Sequence, residues 1–128
     1  MSKFPITKHT PLKANKYDLE DRTYHFAQRC RDFIKTLPKT IVNLEYGKQL
    51  IKSSGSQAAN YIEANEALSK KDFLMRVKIS RKEVKESSLW LKLCETDNTP
   101  NFLQEQKALI QEAIELTKIF NSIVEKSK

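Results

Sequence analysis

Apolar residues recur every three to four positions through most of the chain after residue 16, which is the spacing of amphipathic α-helices. The predicted helices cover residues 18–36, 40–68, 70–94 and 100–125. Pro38 ends the first helix, and Thr40 and Ser69 are suited to cap the next two. Thr99 precedes Pro100 at the start of the fourth helix. Because the connections are short, the predicted fold class is all-α, an up-down-up-down antiparallel four-helix bundle.

The pattern divides the chain into a short arm and one helical domain. Residues 1–16 carry four lysines, two prolines and no acidic residue, so we predict an irregular basic arm there. The bundle domain then covers residues 17–128. Three interpretations of the arm are open: a solvated tail, a segment lying along a phosphate backbone, or a segment held on the bundle by Phe4, Ile6 and Leu12.

The middle of the second helix is rich in small residues. Gly47 and Gly55 each cost about 1 kcal/mol relative to Ala inside a helix, so their presence indicates close packing. At 100° per residue, Gly47, Ser54 and Ala58 fall within about 40° of one another. Either another helix of the same chain or a second subunit is expected to approach this small-residue stripe.

The third helix separates its charged residues from its core residues. The predicted core stripe consists of Phe73, Val77, Val84 and Leu91. Seven of the eight basic residues share about one third of the circumference, and we call them the basic strip: Lys70, Lys71, Lys78, Arg81, Lys82, Lys85 and Lys92. A solvated face usually mixes signs, because opposite charges at i, i+4 support a helix. Aligned positive charges therefore favour a nucleic-acid-binding strip that contacts phosphates, with a lysine-rich solvated face as the alternative.

The same helix carries a second apolar stripe well away from the core stripe. Its members are Met75, Ile79, Trp90 and Leu93, and we call them the outer stripe. A helix in a monomeric bundle needs only one apolar stripe. We therefore predict that the outer stripe is an oligomer interface, the alternative being a helix wedged between two others of its own chain.

Composition and charge narrow the class of partner. The formal net charge is +7 and the pI is near 9.4, which favours an anionic partner such as nucleic acid. With 2 Gly and 4 Pro, the chain has too few turn residues for a β-sandwich or barrel. The first residues lack the apolar segment of a signal peptide, and no apolar run reaches about 18 residues. We expect a cytoplasmic protein that does not span a membrane.

Catalytic and metal-binding patterns are missing from the sequence. His9 and His25 are the only histidines, and Cys30 and Cys94 stand alone within amphipathic runs, where they are expected to be buried. A dyad of Cys30 and His25 at i, i+5 would place the two side chains about 140° apart on a helix. No phosphate-binding glycine loop or nucleophile elbow occurs. We therefore expect no enzymatic activity, no catalytic residue, no cofactor and no metal.

The order of the segments is similar to that of a known bacterial family. The resemblance covers residues 17–38 and 49–94. Its most specific segments are Gln49-Leu50 with Ser53-Ser54-Gly55-Ser56, Ala59-Asn60-Tyr61-Ile62-Glu63-Ala64, and Lys82-Glu83 with Lys85-Glu86 followed by Trp90-Leu91. They resemble the four-helix bundle proteins encoded in intervening sequences of bacterial large-subunit ribosomal RNA genes. Relatives of that family are the accessory variability determinant proteins of diversity-generating retroelements.

The resemblance implies a homopentameric, barrel-like ring of four-helix bundles. It also implies that relatives bind nucleic acid and a reverse transcriptase through a positively charged surface. No enzymatic activity is attached to the family, and most of its members have no known function. The arm and the fourth helix carry no signature of the family.

Two functions from different classes follow from the sequence. The first is a nucleic-acid-binding oligomer, which predicts basic side chains gathered on an exposed surface. The second is a homo-oligomeric protein-interaction scaffold with no nucleic-acid role, which predicts basic side chains paired with acids of neighbouring helices.

Overall fold

Four helices and their short connections make up the part of the chain that the computed structural model describes, residues 16–128, with side chains from residue 19. The helices are α1 (Lys16–Thr36), α2 (Ile41–Asn65), α3 (Lys70–Leu93) and α4 (Pro100–Lys126). No strand occurs within residues 16–128, so the all-α prediction is confirmed. The largest difference from the predicted bounds is the end of α2, which was expected at Leu68 and lies at Asn65.

The helix starts follow the local sequence. Oγ1 of Thr40 accepts a hydrogen bond from the backbone N–H of Asn43 at 3.1 Å, and Oγ of Ser69 accepts one from Asp72 at 3.1 Å. Before α4, Asp97 and Asn98 have φ angles of 54° and 58°. Asp and Asn are among the few non-glycine residues that adopt this left-handed region readily.

Consecutive helices run antiparallel and close into a bundle. Nε2 of Gln57, in α2, donates to the backbone oxygen of Thr23 in α1 at 2.8 Å, and the backbone oxygen of Gln57 accepts from Oγ of Ser80 in α3 at 2.9 Å. Nε2 of Gln106, early in α4, donates to the backbone oxygen of Leu91, late in α3, at 2.8 Å. The helices α1 and α4 also contact each other, so each helix has two neighbours.

The core stripe of α3 lies where the periodicity predicted. Val77, Val84 and Leu91 are fully buried, and Phe73 is partly buried against the same core. Fully buried residues that surround them from the other helices are Phe26, Leu50, Leu109, Leu116 and Phe120. This core fixes the orientation of α3 and therefore which of its faces points outward.

The small-residue stripe of α2 faces α1 within the same chain. Gly47, Ser54 and Ala58 are all buried. A Cβ atom at Gly47 would lie 2.9 Å from Cγ2 of Ile34. The stripe therefore allows close packing of α1 on α2, which was the first of the two interpretations.

The predicted arm and the predicted absence of a membrane span can be compared with the structure only within the described residues. Apart from Lys16, which begins α1, the predicted arm lies outside the described residues. Among the four described helices, none is long and apolar enough to cross a membrane.

Candidate nucleic-acid interface

The basic strip lies on the outer face of α3. Arg81 is partly buried, and the other six members are exposed: Lys70, Lys71, Lys78, Lys82, Lys85 and Lys92. From Lys70 to Lys92 the strip extends about 33 Å at 1.5 Å per residue. The core contacts of Val77, Val84 and Leu91 hold this face toward solvent, as the sequence predicted.

Acidic side chains neutralise little of the basic strip. Nζ of Lys82 lies 3.6 Å from Glu83 and 3.8 Å from Glu86, both on α3 itself. Nη1 of Arg81 donates to the neutral Oδ1 of Asn121 in α4 at 2.9 Å. The five remaining lysines make no ion pair with any described residue. No member of the strip is paired with an acid of a neighbouring helix within residues 19–128.

Three of the four glutamates of α4 pair with arginines of α1, and the fourth, Glu125, lies 3.1 Å from Lys128. Arg22 forms a two-pronged pair with Glu112, with N–O distances of 2.7 and 2.9 Å. Arg29 forms the same kind of pair with Glu105, at 3.1 and 3.0 Å. The hydrogen bond to Glu112 raises the pKa of Arg22 above its ordinary value, against the opposing effect of burial. Because these glutamates face α1, they do not neutralise the basic strip on the neighbouring helix α3.

The centre of the basic strip is concave. Lys78, Arg81, Lys82 and Lys85 line a hollow together with Glu86 and Leu89. Several mobile ammonium groups around a shallow depression suit a flexible polyanion, since each Lys acts as a compact, adaptable point charge. No aromatic ring or planar amide among the residues that line the hollow is placed to read a base edge.

The outer stripe differs from its prediction in one respect. Met75 and Leu93 are 48% and 38% exposed, whereas Ile79 and Trp90 are partly buried. The ring of Trp90 stacks on Tyr46 of α2, with ring centroids 5.8 Å apart. Trp90 therefore packs within its own chain, and Met75 and Leu93 are the two members that project most.

Residues considered for chemistry do not form a reactive cluster. Cys30 and Cys94 are buried as expected, and burial raises the pKa of both thiols, that of Cys94 to about 11. His25 is exposed beside Asp21, with 3.3 Å between Nε2 and Oδ1, and His9 lies outside the described residues. Between residues 19 and 128, no group of three His, Cys, Asp or Glu side chains is arranged to hold a metal ion.

A second surface, between α1 and α2, was not singled out from the sequence. One apolar hollow contains Ile34, Leu44 and Gly47, another contains Tyr24 and Gly55, and the two adjoin at Ile51. We call the two hollows together the α1–α2 groove. Four large apolar residues beside it are between 46% and 53% exposed: Tyr24, Leu44, Ile51 and Ile62. Their signal was present, because Leu44, Ile51, Gly55 and Ile62 share one face of α2 at 100° per residue.

Comparisons with known proteins agree with this architecture. A family model described as 23S rRNA-intervening sequence protein matches residues 15–122. A crystal structure of a protein with unknown function, from the S23 ribosomal protein family of Bacteroides thetaiotaomicron VPI-5482, is 27% identical with a TM-score of 0.71. That likeness covers 86% of this chain and 97% of the solved one. No curated protein matches the chain.

Proposed function

The chain belongs to the 23S rRNA-intervening sequence protein family, and from this premise we propose that it is a non-enzymatic homo-oligomer whose basic strip binds the backbone of RNA or DNA. The family and the solved neighbour supply the fold and no established activity. The proposal therefore depends on the charges and contacts of this chain.

One observation carries the nucleic-acid proposal. Five of the seven strip residues make no ion pair among the described residues, while Arg22 and Arg29 of α1 are each paired with a glutamate of α4. A scaffold whose positive charge is incidental would pair its basic side chains with acids from adjacent helices. Keeping like charges aligned and unpaired costs stability through repulsion. A polyanion that neutralises them would remove that repulsion.

The chemistry of the strip favours backbone contact without base recognition. Phosphate contacts position a nucleic acid and carry no sequence information by themselves. Six of the seven members are lysines, which contact phosphates as point charges and lack the planar fork that Arg offers to guanine. We therefore propose low sequence specificity and a strong dependence of affinity on salt.

Oligomerisation would strengthen such binding without new contacts. Each added subunit repeats the strip and raises the effective concentration of lysines along one nucleic acid. The exposed apolar side chains of Met75 and Leu93 support assembly through the outer stripe. The family resemblance makes a pentamer the expected state.

A matched pair of charge reversals tests the role of the strip. The strip variant is Lys78→Glu with Lys85→Glu, because both residues are exposed, line the hollow and make no ion pair among the described residues. The control is Lys126→Glu with Lys128→Glu, two exposed lysines at and just after the end of α4 that make the same change in net charge. Binding to a mixed-sequence RNA and a DNA duplex is measured at about 50 mM salt by fluorescence anisotropy.

We expect the strip variant to lose at least about tenfold in affinity and the control to lose much less. Equal losses would mean that net charge alone governs binding and would refute a localised site. If the wild-type protein binds neither nucleic acid at this salt concentration, the strip is a solvated face and the protein-interaction scaffold becomes the better account.

A further inference from the structure

Gly55 has no packing role among the residues that the structure describes. It lies in the interior of α2, where Gly is about 1 kcal/mol less favourable than Ala. A Cβ atom added there would meet nothing within 4 Å, in contrast to Gly47. Gly55 opens into the groove between α1 and α2, beside Tyr24 and Ile51. A bare position in an exposed apolar groove allows another element to approach the backbone closely.

The rim of this groove is positively charged. Lys35, Lys39 and Lys48 line the hollow that contains Gly47, and Arg31 lines the hollow that contains Gly55. Arg31 and Lys48 are each close to one acid, Asp32 and Glu45 respectively. Lys35 and Lys39 make no ion pair with any residue from 19 to 128. The groove therefore suits a helix whose apolar residues are flanked by acids.

The chain itself presents such a helical face. Three acidic residues of α3 lie on the same side as the outer stripe, at 100° per residue: Asp72, Glu83 and Glu86. Met75 and Leu93 project from this face. Met75 to Leu93 span eighteen residues of helix, about 27 Å, and so does the exposed apolar face of α2 from Leu44 to Ile62. The groove is the part of that face up to Gly55. The two surfaces are similar in length and in apolar character, and their charges are opposite in sign.

We propose that the outer stripe of one copy packs into the α1–α2 groove of the next copy. The proposal rests on the oligomer half of the proposed function and identifies its two contact surfaces. Because the contact joins two different surfaces, the assembly is heterologous. Copies then add head to tail until the assembly closes into a ring. The two surfaces adjoin on α3, since Lys82 lies about 20° from Met75 on the helical wheel. The strip members that stay open to nucleic acid are those at least about 60° from Met75: Lys70, Lys78, Arg81, Lys85 and Lys92.

Filling the groove at Gly55 tests the proposal. Gly55→Leu adds a side chain where residues 19–128 leave open space, so folding should be preserved and assembly blocked. The control is Ala108→Leu, at an exposed position of α4 that does not line the groove. Molecular mass is measured by sedimentation and helicity by circular dichroism. We expect a folded Gly55→Leu monomer and an Ala108→Leu oligomer of wild-type mass.

A charge exchange tests the pairing of the two surfaces. The groove variant is Lys35→Glu with Lys39→Glu, four residues apart at and just after the end of α1, and the stripe variant is Glu83→Lys with Glu86→Lys, three residues apart on α3. Each is expected to weaken assembly at least tenfold, and the chain that carries all four changes is expected to recover assembly. Recovery would not occur if the two surfaces contacted other partners, and its absence would overturn the pairing.

The outcomes separate this inference from the proposed function. If wild type assembles and Gly55→Leu assembles equally well, the groove is not the contact, while an oligomeric nucleic-acid-binding protein stands. If wild type is a 14.9 kDa monomer at high micromolar concentration, the oligomer half of the proposed function and this inference both fail. Nucleic-acid binding by the basic strip is judged independently, since Lys78 and Lys85 lie outside the groove and the outer stripe.

Discussion

The two glycines of α2 occupy opposite environments. A Cβ atom at Gly47 would lie 2.9 Å from Cγ2 of Ile34, and one at Gly55 would face open space. Gly47 therefore permits the approach of α1 to α2. Gly55 retains the conformational cost of a helical glycine without any compensating contact from the residues that the structure describes.

This difference predicts opposite effects of alanine. Gly55→Ala should raise the free energy of unfolding by about 0.5–1 kcal/mol, because Ala has the higher helix propensity. Gly47→Ala should be at least about 1 kcal/mol less stable than Gly55→Ala, because its methyl group must displace Ile34. Urea unfolding measures both, at concentrations where stability no longer depends on assembly. Equal free energies of unfolding for the two variants would contradict this prediction, because they would show that Ile34 moves aside at no cost.

Asn43 is a residue whose role the sequence did not reveal. Its Nδ2 donates to the backbone oxygens of Pro38 and Glu95 at 3.0 and 2.9 Å, and its Oδ1 accepts from the N–H of Glu95 at 2.7 Å. The side chain thus joins two connections far apart in sequence. Helical periodicity places Asn43 near a cap, but only the closed bundle brings Glu95 beside it.

At the scale of helices, the N-caps differ in what their side chains do. Thr40 caps α2 with a hydrogen bond to Asn43, whereas Thr99 makes no side-chain capping bond to α4. Thr40→Ala should therefore lower the free energy of unfolding by about 1 kcal/mol. Thr99→Ala should change it by a few tenths at most, since Pro100 has no N–H to satisfy and presets the first turn. Thermal unfolding compares the two, and a larger loss at Thr99 would contradict this assignment.

The helices themselves were largely predictable, because their apolar spacing and polar caps are local signals. Thr40, Ser69 and Pro100 marked three starts correctly. The end of α2 was placed too late because residues after Asn65 are good helix formers. Ser69 must be extended to cap α3, with φ −138° and ψ 156°, so the chain leaves the helix before it.

The candidate site was predictable only in part. The clustering of the basic strip follows from helical periodicity within α3 alone. Whether those charges are neutralised depends on which face of α4 its glutamates occupy, and this is a property of the packed bundle. The stacking of Trp90 on Tyr46 was not predictable for the same reason, because Tyr46 belongs to another helix.

At the scale of the whole molecule, the paired charges, the basic strip and the apolar groove lie on different sides of the bundle. The α1–α4 side carries paired charges, and on the outer face of α3 five of the seven strip residues make no ion pair with any residue from 19 to 128. The α1–α2 side carries the apolar groove. Under the proposed contact, assembly covers the groove and the outer stripe, and every copy still presents most of its basic strip.

The decisive measurement is the salt dependence of binding to a DNA duplex, compared between wild type and Lys78→Gln with Lys85→Gln. Each lysine that neutralises a phosphate contributes about −0.9 to the slope of log affinity against log salt concentration. If both lysines contact phosphates, the slope of the variant should be shallower by about 1.8 per subunit engaged. Identical slopes for the two proteins, or a wild-type affinity that does not fall with salt, would contradict backbone binding by the basic strip.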